Sequence, residues 1–272
     1  MDKLGIEFIS VFGMPPVEYI ELSASLGCRN VGLAPAPIVT LDGLYPEWTM
    51  RGNPALVRDV RQALKDNGVT VSVGEGFVIM PGIDLDAYQA DFDLLAELGA
   101  QVTNACCVEA DFAANVDGFG RLAEMAARRN LPITVEYLPG MVVGTLETAC
   151  ELIEQVGRPN AGLLIDSMHL FRSGASAADV AALPQGLVLY AQLCDVPVVS
   201  RFDDYSVEAR FERLAPGDGE LPLLDFVKAL PGDLVIGLEV PMRCLSEQGV
   251  SAADRLTPAL AKARALFEAA GV

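Results

Sequence analysis

Short apolar runs alternate with longer amphipathic segments along the whole chain. The short runs are rich in β-branched residues and predict eight strands: LGIEFIS from Leu4, NVGLA from Asn30, VTVSVGE from Val69, QVTNACCV from Gln101, PITVEY from Pro132, GLLID from Gly162, LVLYAQL from Leu187 and LVIGLEV from Leu234. The longer segments carry the helical spacing, and several end in Gly or Asn, as helices commonly do. Examples are PALVRDVRQALKDNG from Pro54, LETACELIEQVG from Leu146 and the final SAADRLTPALAKARALFEAAG from Ser251.

This alternation predicts a parallel sheet covered by helices. Near-continuous apolar strands are typical of a sheet that is buried on both faces. Eight such units in 272 residues match the number and size of a (β/α)8 TIM barrel. A doubly wound open sheet is the alternative, but it usually carries a glycine-rich fingerprint after its first strand, and FISVFGMPP from Phe8 has none. We therefore predict an α/β fold, a single (β/α)8 TIM barrel domain over residues 1–272.

The connections are unequal in length, which locates the predicted active site. Helix-to-strand connections such as DNG, GRPNA and LPQG are short, whereas the strand-to-helix connections at residues 35–52 and 196–220 are long. In a barrel all strand-to-helix loops open on one face, and chemistry takes place there. The short GEG (residues 74–76) and GDG (residues 217–219) segments are interpreted as turns rather than phosphate sites, so a phosphorylated substrate stays an open question.

The acidic composition argues against nucleic acid and anionic membranes as binding partners. The 37 acidic and 19 basic residues give a formal charge of −18, which would repel nucleic acid and anionic membranes. The six cysteines form no CxxC pair, and neither a signal-like N-terminus nor a membrane-length apolar run is present. We expect reduced thiols, a cytoplasmic location and a small-molecule substrate. Pairing into a homodimer is compatible with the sequence, which shows no interface patch.

Four consecutive predicted strands end in a side chain with a metal-capable oxygen: Glu136, Asp166, Gln192 and Glu239. Carboxylates that converge at a barrel mouth repel one another, and a shared cation removes that repulsion. Carboxylate and amide oxygens suit Mg²⁺ or Mn²⁺, so we predict one divalent metal ion with room for substrate oxygens. Taken singly, each carboxylate could instead cap a helix or pair with a cation, and a buried amide more often bonds a neighbour.

Two further features point to substrate contact. His169 is the only histidine and follows Asp166 by three residues, so we favour a role towards a substrate hydroxyl over that of a hydrogen-bonded core residue. The loop LDGLYPEWTMRGNP carries Tyr45, Trp48 and Arg51. It either covers a bound substrate, with Trp48 in contact with it, or packs as an aromatic cluster against the barrel.

The segments VEYLP, LLIDSMHLFRSG, YAQLCD, RLAPGDGELPL and IGLEVP resemble motifs of the xylose isomerase-like TIM barrel superfamily, the sugar phosphate isomerase/epimerase group. The resemblance covers nearly the whole chain, and its specific motifs lie between about residues 130 and 242. It implies that Glu136, Asp166, Gln192 and Glu239 bind one divalent metal. It also implies that His169 and Arg213 contact substrate.

The departures from the family pattern bear on the reaction. Sugar 3-epimerases of the superfamily usually have His at the place of Gln192 and a further Glu at the place of Val142, and a single histidine excludes the xylose isomerase and endonuclease IV patterns. A glutamine ligand is also compatible with the dehydratase branch.

The residues and the resemblance together give a ranked expectation. The first choice is a metal-dependent isomerase or epimerase of a small keto sugar or polyol, acting through an enediolate, with Glu136 and Glu239 as acid and base beside His169. The second is a lyase that dehydrates a cyclic keto polyol, similar to 3-dehydroshikimate dehydratase. The third is an inactive barrel that serves as a binding subunit.

Overall fold

The computed structural model describes residues 3–272, in which eight parallel strands form a closed barrel in sequence order. The predicted (β/α)8 fold is confirmed. The strands are β1 (Leu4–Ile6), β2 (Asn30–Leu33), β3 (Thr70–Ile79), β4 (Val102–Cys107), β5 (Ile133–Glu136), β6 (Ala161–Asp166), β7 (Val188–Leu193) and β8 (Ile236–Leu238). Closure comes from pairing of β1 with β8, where Gly5 lies opposite Gly237. Each predicted strand segment overlaps one of these strands, and six of the eight contain it whole; β3 runs four residues beyond the predicted segment, and β6 begins one residue before it.

Eleven α-helices are described: α1 (Pro16–Ser25), α2 (Pro54–Asn67), α3 (Gln89–Glu97), α4 (Phe112–Ala127), α5 (Leu146–Val156), α6 (Ser167–Arg172), α7 (Ala177–Ala181), α8 (Tyr205–Phe211), α9 (Leu223–Ala229), α10 (Arg243–Glu247) and α11 (Ala252–Ala270). Two 3-10 helices, Phe8–Val11 and Leu85–Tyr88, precede α1 and α3. The expected glycine stops are present, since Gly68 and Gly157 take the left-handed conformation after α2 and α5. Between residues 3 and 272, no helix combines the length and apolarity needed to cross a bilayer.

Strand β3 differs from the sequence interpretation at residues 74–76. These residues lie within the strand, so the predicted GEG turn is wrong. The pairing of β3 with β4 shifts register between Gly74 and Phe77, and Gly76 has a φ of +102°. Such a bulge re-aims the neighbouring side chain, here Glu75, which is buried. The GDG segment is a turn as predicted, with Gly217 at a φ of +84°.

The long loop at residues 35–52 is fastened to the barrel at two points. The indole N–H of Trp48 donates to the carbonyl oxygen of Gly13 at 2.9 Å, and its ring packs edge-on against Phe8. Arg51 forms a two-pronged ion pair with the buried Asp91, at 2.8 and 2.7 Å. Of the two interpretations of this loop, packing against the barrel is the one for which the structure shows contacts.

Candidate active site

Arg213 lies between two of the four predicted metal ligands. One of its terminal nitrogens, Nη1, is 2.6 Å from Asp166 Oδ2 and 2.6 Å from Glu239 Oε2, and all three side chains are buried. Its Nε also donates to the carbonyl of Ala209, which fixes the guanidinium. Arg213 thus joins the ends of β6 and β8 as a buried cation, and its predicted contact with substrate stays a prediction.

His169 contacts a third predicted ligand, Glu136, and also Tyr205. It belongs to α6, which begins directly after β6 because Asp166 caps it, accepting the backbone N–H of His169 at 2.8 Å. The ring Nε2 lies 3.1 Å from Glu136 Oε1, and Nδ1 is hydrogen-bonded to the hydroxyl of Tyr205. The imidazole is thus held on both sides, which fixes its orientation in the mouth of the barrel.

Glu136 also has a fixed position. Asn104 Nδ2 donates to its Oε2 at 2.7 Å, and Thr134 in turn donates to Asn104 at 2.9 Å. The thiol of Cys106 approaches the same carboxylate oxygen at 3.5 Å. The carboxylate at the end of β5 is therefore oriented by neighbours on β4 and by His169.

Gln192, the fourth predicted ligand, is fully buried in β7 opposite Asp166 on one side and Gly237 on the other. Neither its amide nitrogen nor its amide oxygen makes a hydrogen bond of good geometry, although the amide lies close enough to Glu7 to favour the ionised carboxylate. A buried amide without partners is uncommon because losing its hydrogen bonds to water costs free energy. The structure thus leaves Gln192 with donor and acceptor capacity to spare inside the barrel.

Two carboxylates that the sequence analysis did not single out lie beside these groups. Glu7 follows β1, Glu75 lies in β3, and both are buried. Of the His, Cys, Asp and Glu side chains of residues 3–272, Glu7, Glu75 and Glu239 are the group whose ligand atoms all lie within 4.8 Å of one another. For Glu7 the signal was present in the sequence, since it interrupts an apolar run, as the four predicted ligands do.

Glycines make the room that Glu7 occupies. A Cβ added to Gly237 would overlap the carboxylate of Glu7, and one added to Gly32 would contact both Glu7 and Glu75. The Oε1 atom of Glu7 accepts a hydrogen bond from Tyr190 at 2.7 Å, and the Tyr190 hydroxyl also contacts that of Ser72 at 3.0 Å. The carboxylate of Glu7 is thus set between strands β1, β2, β7 and β8.

The electrostatics of this group reflect a surplus of negative charge. Burial, opposed by hydrogen bonds and reinforced by neighbouring carboxylates, raises the pKa of Glu7 to about 7. Burial and neighbouring carboxylates also raise the pKa values of Glu75 and Glu239 well above their usual range, although Arg213 opposes the shift in both. Burial disfavours the ionised form of Asp166 too, but Arg213 and His169 outweigh it, so its pKa is lowered.

These residues fit a hard divalent cation. The donors are oxygens throughout, neither amide atom of Gln192 makes a hydrogen bond of good geometry, and of five buried carboxylates only two form an ion pair with Arg213. The five are Glu7, Glu75, Glu136, Asp166 and Glu239. The predicted set of metal ligands, Glu136, Asp166, Gln192 and Glu239, stays a prediction.

The match to a known family covers most of the barrel. Residues 20–266 match the family model described as xylose isomerase-like TIM barrel. The chain belongs to this family. The resemblance expected from the motifs between residues 130 and 242 is thereby confirmed, and the family's relatives include enzymes of more than one reaction type.

Two curated relatives are named 3-dehydroshikimate dehydratase. The one from Pseudomonas putida is 28% identical over 235 residues, which cover 82% of this chain and 35% of the relative. The one from Pseudomonas aeruginosa is 29% identical over 235 residues with the same coverage. The chain therefore spans about a third of the length of these relatives.

Solved structures share the fold at lower identity. A xylose isomerase-like TIM barrel/4-hydroxyphenylpyruvate dioxygenase fusion protein superposes with a TM-score of 0.78 at 23% identity, covering 98% of this chain and 43% of that one. The IolI protein with a bound zinc atom gives 0.75 at 15% identity, with 98% of both chains covered. A D-psicose 3-epimerase solved in the presence of D-fructose gives 0.70 at 15% identity, covering 97% of this chain and 99% of that one.

Proposed function

We propose that this protein is a divalent-metal-dependent dehydratase of a cyclic keto polyol, of the 3-dehydroshikimate type. The observation that carries the proposal is the pairing of His169, held between Glu136 and Tyr205, with Glu239, which is held by Arg213. Exchange of a proton between two faces of a substrate needs a free acid or base on each side. Here the carboxylate of Glu239 is engaged in a charged ion pair with Arg213, whereas the imidazole of His169 has two hydrogen-bonded contacts, of which one can be exchanged for substrate, an arrangement suited to a single base.

The chain's own residues have distinct parts in this reaction. His169, whose Nε2 exchanges its contact with Glu136 for the substrate, takes the proton from the carbon next to the substrate carbonyl and delivers it to the departing β-hydroxyl, so that water leaves and a carbon–carbon double bond forms. Tyr205, bonded to Nδ1, keeps the imidazole in place for both transfers. A divalent ion bound by Glu136, Asp166, Gln192 and Glu239 would supply Lewis-acid polarisation of the carbonyl. No oxidant or reductant is required.

The two curated dehydratases support this choice over the isomerase or epimerase that the sequence placed first. Val142, where sugar 3-epimerases usually carry a second Glu, supports it as well, since the residue is exposed and apolar. The epimerase stays the second candidate because a D-psicose 3-epimerase shares the fold. An inactive barrel is the third, and it fails if any turnover is seen.

The test is incubation of the Mn²⁺-loaded enzyme with 3-dehydroshikimate in D2O, followed by ultraviolet absorbance and mass spectrometry. The proposal expects an absorbing conjugated product that is lighter than the substrate by one water. Epimerisation would instead place deuterium on a substrate of otherwise unchanged composition. D-fructose and D-psicose serve as comparison substrates, and turnover of these alone would overturn the dehydratase assignment.

A further inference from the structure

We propose that Glu7, Glu75 and Glu239 form a second, inner divalent-cation site, which shares Glu239 with the outer site at Glu136, Asp166 and Gln192. The three inner ligand atoms come from the ends or interior of β1, β3 and β8 and lie within 4.8 Å of one another. Three side chains on separate strands of one barrel cannot easily move apart. The arrangement is that of a preformed site of hard oxygen ligands, which suits Mn²⁺, Mg²⁺ or Ca²⁺.

Unpaired buried atoms point into this space. The Oε2 atoms of Glu7 and Glu75 are buried and accept no hydrogen bond, and that of Glu239 has only the ion pair with Arg213 at 2.6 Å. Gln192 is fully buried beside Glu7, stabilises its ionised form, and still makes no hydrogen bond of good geometry with either amide atom. Leaving so many buried polar atoms unsatisfied is costly, and a cation satisfies the oxygens at once.

The surroundings of Glu7 resemble those of a metal ligand. Its second oxygen, Oε1, is held by Tyr190, whose hydroxyl contacts Ser72. Hydrogen bonds of this kind orient ligating carboxylates in metal sites. Gly32 and Gly237 carry no side chain to fill the space next to the carboxylate. Both features set one oxygen of Glu7 free on the side of Glu75.

Charge balance favours two ions over one. In the ionised form that binds metal, the five buried carboxylates carry more negative charge than Arg213 and one divalent ion can neutralise, and uncompensated charge in a barrel interior is expensive. A second divalent ion, bound by Glu7, Glu75 and Glu239, neutralises the remaining negative charge. This inference goes beyond the dehydratase proposal, because the inner site does not depend on which substrate reacts at the mouth.

Mn²⁺ binding to the metal-stripped full chain, measured by equilibrium dialysis and elemental analysis, tests the inner site. We expect two ions per wild-type chain, one for Glu75→Gln and one for Glu136→Gln. Electron paramagnetic resonance of the wild type should show coupling between neighbouring Mn²⁺ ions, and both variants should lose it. Glu97→Gln, which removes an exposed carboxylate, is the matched control and should retain two ions.

Each other outcome has a defined meaning. A Glu75→Gln variant that binds as many ions as the wild type, whether one or two, or a wild-type chain that binds no ion at all, overturns the inner site. If the wild-type chain binds one ion, and Glu75→Gln loses this ion while Glu136→Gln keeps it, the inner site is supported. The dehydratase proposal must then do without an ion at the outer site. Circular dichroism checks that each variant is folded. If Glu75→Gln does not fold, Glu7→Gln replaces it, with the same expected loss of one ion.

Discussion

At the scale of single residues, the site is defined by how each charged group is held. His169 has a partner on each ring nitrogen, while Arg213 faces two carboxylates with one nitrogen. Breaking such a buried contact leaves its partner uncompensated, which costs about 3–5 kcal/mol for an ion pair. Residues at this site therefore affect folding as well as chemistry, and experiments must separate the two.

Replacement of His169 by Asn tests its role as the base. We expect kcat on 3-dehydroshikimate to fall by about 10²–10⁴-fold, the usual contribution of general acid–base catalysis, because Asn cannot carry the proton. Mn²⁺ content should be unchanged, since His169 is not among the proposed ligands. Tyr88→Phe, which removes a hydroxyl bonded to the backbone of Val78, is the control and should retain full activity. Loss of metal together with activity would indicate a structural role instead.

Glu7 gives the metal-free protein a predictable dependence on pH. Its pKa rises from 4.5 to about 7 on folding, so the native state binds the proton more tightly than the unfolded state does. The stabilising contribution of Glu7 to the free energy of unfolding is therefore fully present below pH 4.5. It is lost as the pH rises through about 7, and the total loss is about 3 kcal/mol.

Chemical denaturation at about pH 5 and pH 8 in the presence of EDTA measures this fall. Glu7→Gln should reduce the difference between the two pH values, whereas Glu97→Gln should leave it unchanged. A Glu7→Gln variant with the same pH dependence as the wild type would show that the carboxyl of Glu7 is not protonated in the native state at neutral pH.

At the scale of elements, strands β1, β2 and β8 are adapted to one side chain. Gly32 and Gly237 lie where a Cβ would meet the carboxylate of Glu7. A strand glycine usually weakens a sheet because it adds backbone entropy and packs no side chain. At these two positions glycine is required because the side chain of Glu7 approaches the backbone closely.

Gly237→Ala should therefore destabilise the barrel, by about 1–3 kcal/mol as overpacked core substitutions do. Adding Glu7→Ala to this variant should restore part of the loss, because the two changes share one space and are not additive. Gly120→Ala is the matched control. It lies within α4 with open space around its Cβ position, and should stabilise by about 0.5–1 kcal/mol. Equal effects of Gly237→Ala with and without Glu7 would contradict the steric argument.

The strands and the longer helices could be predicted from the sequence, whereas some short helices could not. All eight strands were predictable because each is a short apolar run between helical segments, and the stop of α2 was predictable from Gly68. Short helices such as α6 were not, because six residues after a strand carry too little periodicity.

The residues of the candidate site likewise divide into those that the sequence predicted and those that only the structure identified. Strand-end carboxylates were visible in the sequence, whereas Glu75 was hidden because the bulge at Gly74–Phe77 sets its direction and two glycines around it indicate a turn. The ion pair of Arg213 with Asp166 and Glu239 joins residues distant along the chain, and only the closed barrel brings them together.

At the scale of the whole molecule, negative charge is in excess in the chain as a whole, and part of it lies inside the barrel. The chain carries a formal charge of −18, and five carboxylates are buried in the barrel. Self-repulsion of this kind weakens the compact state, and bound cations relieve it. We therefore expect the folded state of the protein as a whole to depend on divalent metal.

Thermal unfolding across a Mn²⁺ series measures this dependence. A ligand at about one hundred times its Kd stabilises the native state by about 2.7 kcal/mol, so Tm should rise by several degrees. Glu239→Gln should lose most of this rise because Glu239 belongs to both proposed sites. KCl at matched ionic strength controls for general screening, and a rise of equal size with KCl would contradict specific binding.

The space shared by Glu7, Gly32 and Gly237 also constrains how the sequence can vary over evolution. While Glu7 is present, mutations that add a side chain at either glycine are selected against, since the strands have no other place for the carboxylate. Once Glu7 is lost, both glycines are free to drift. Homologues should therefore retain or lose these three residues as a set, and an alignment would show the correlation even though the positions are far apart in the chain.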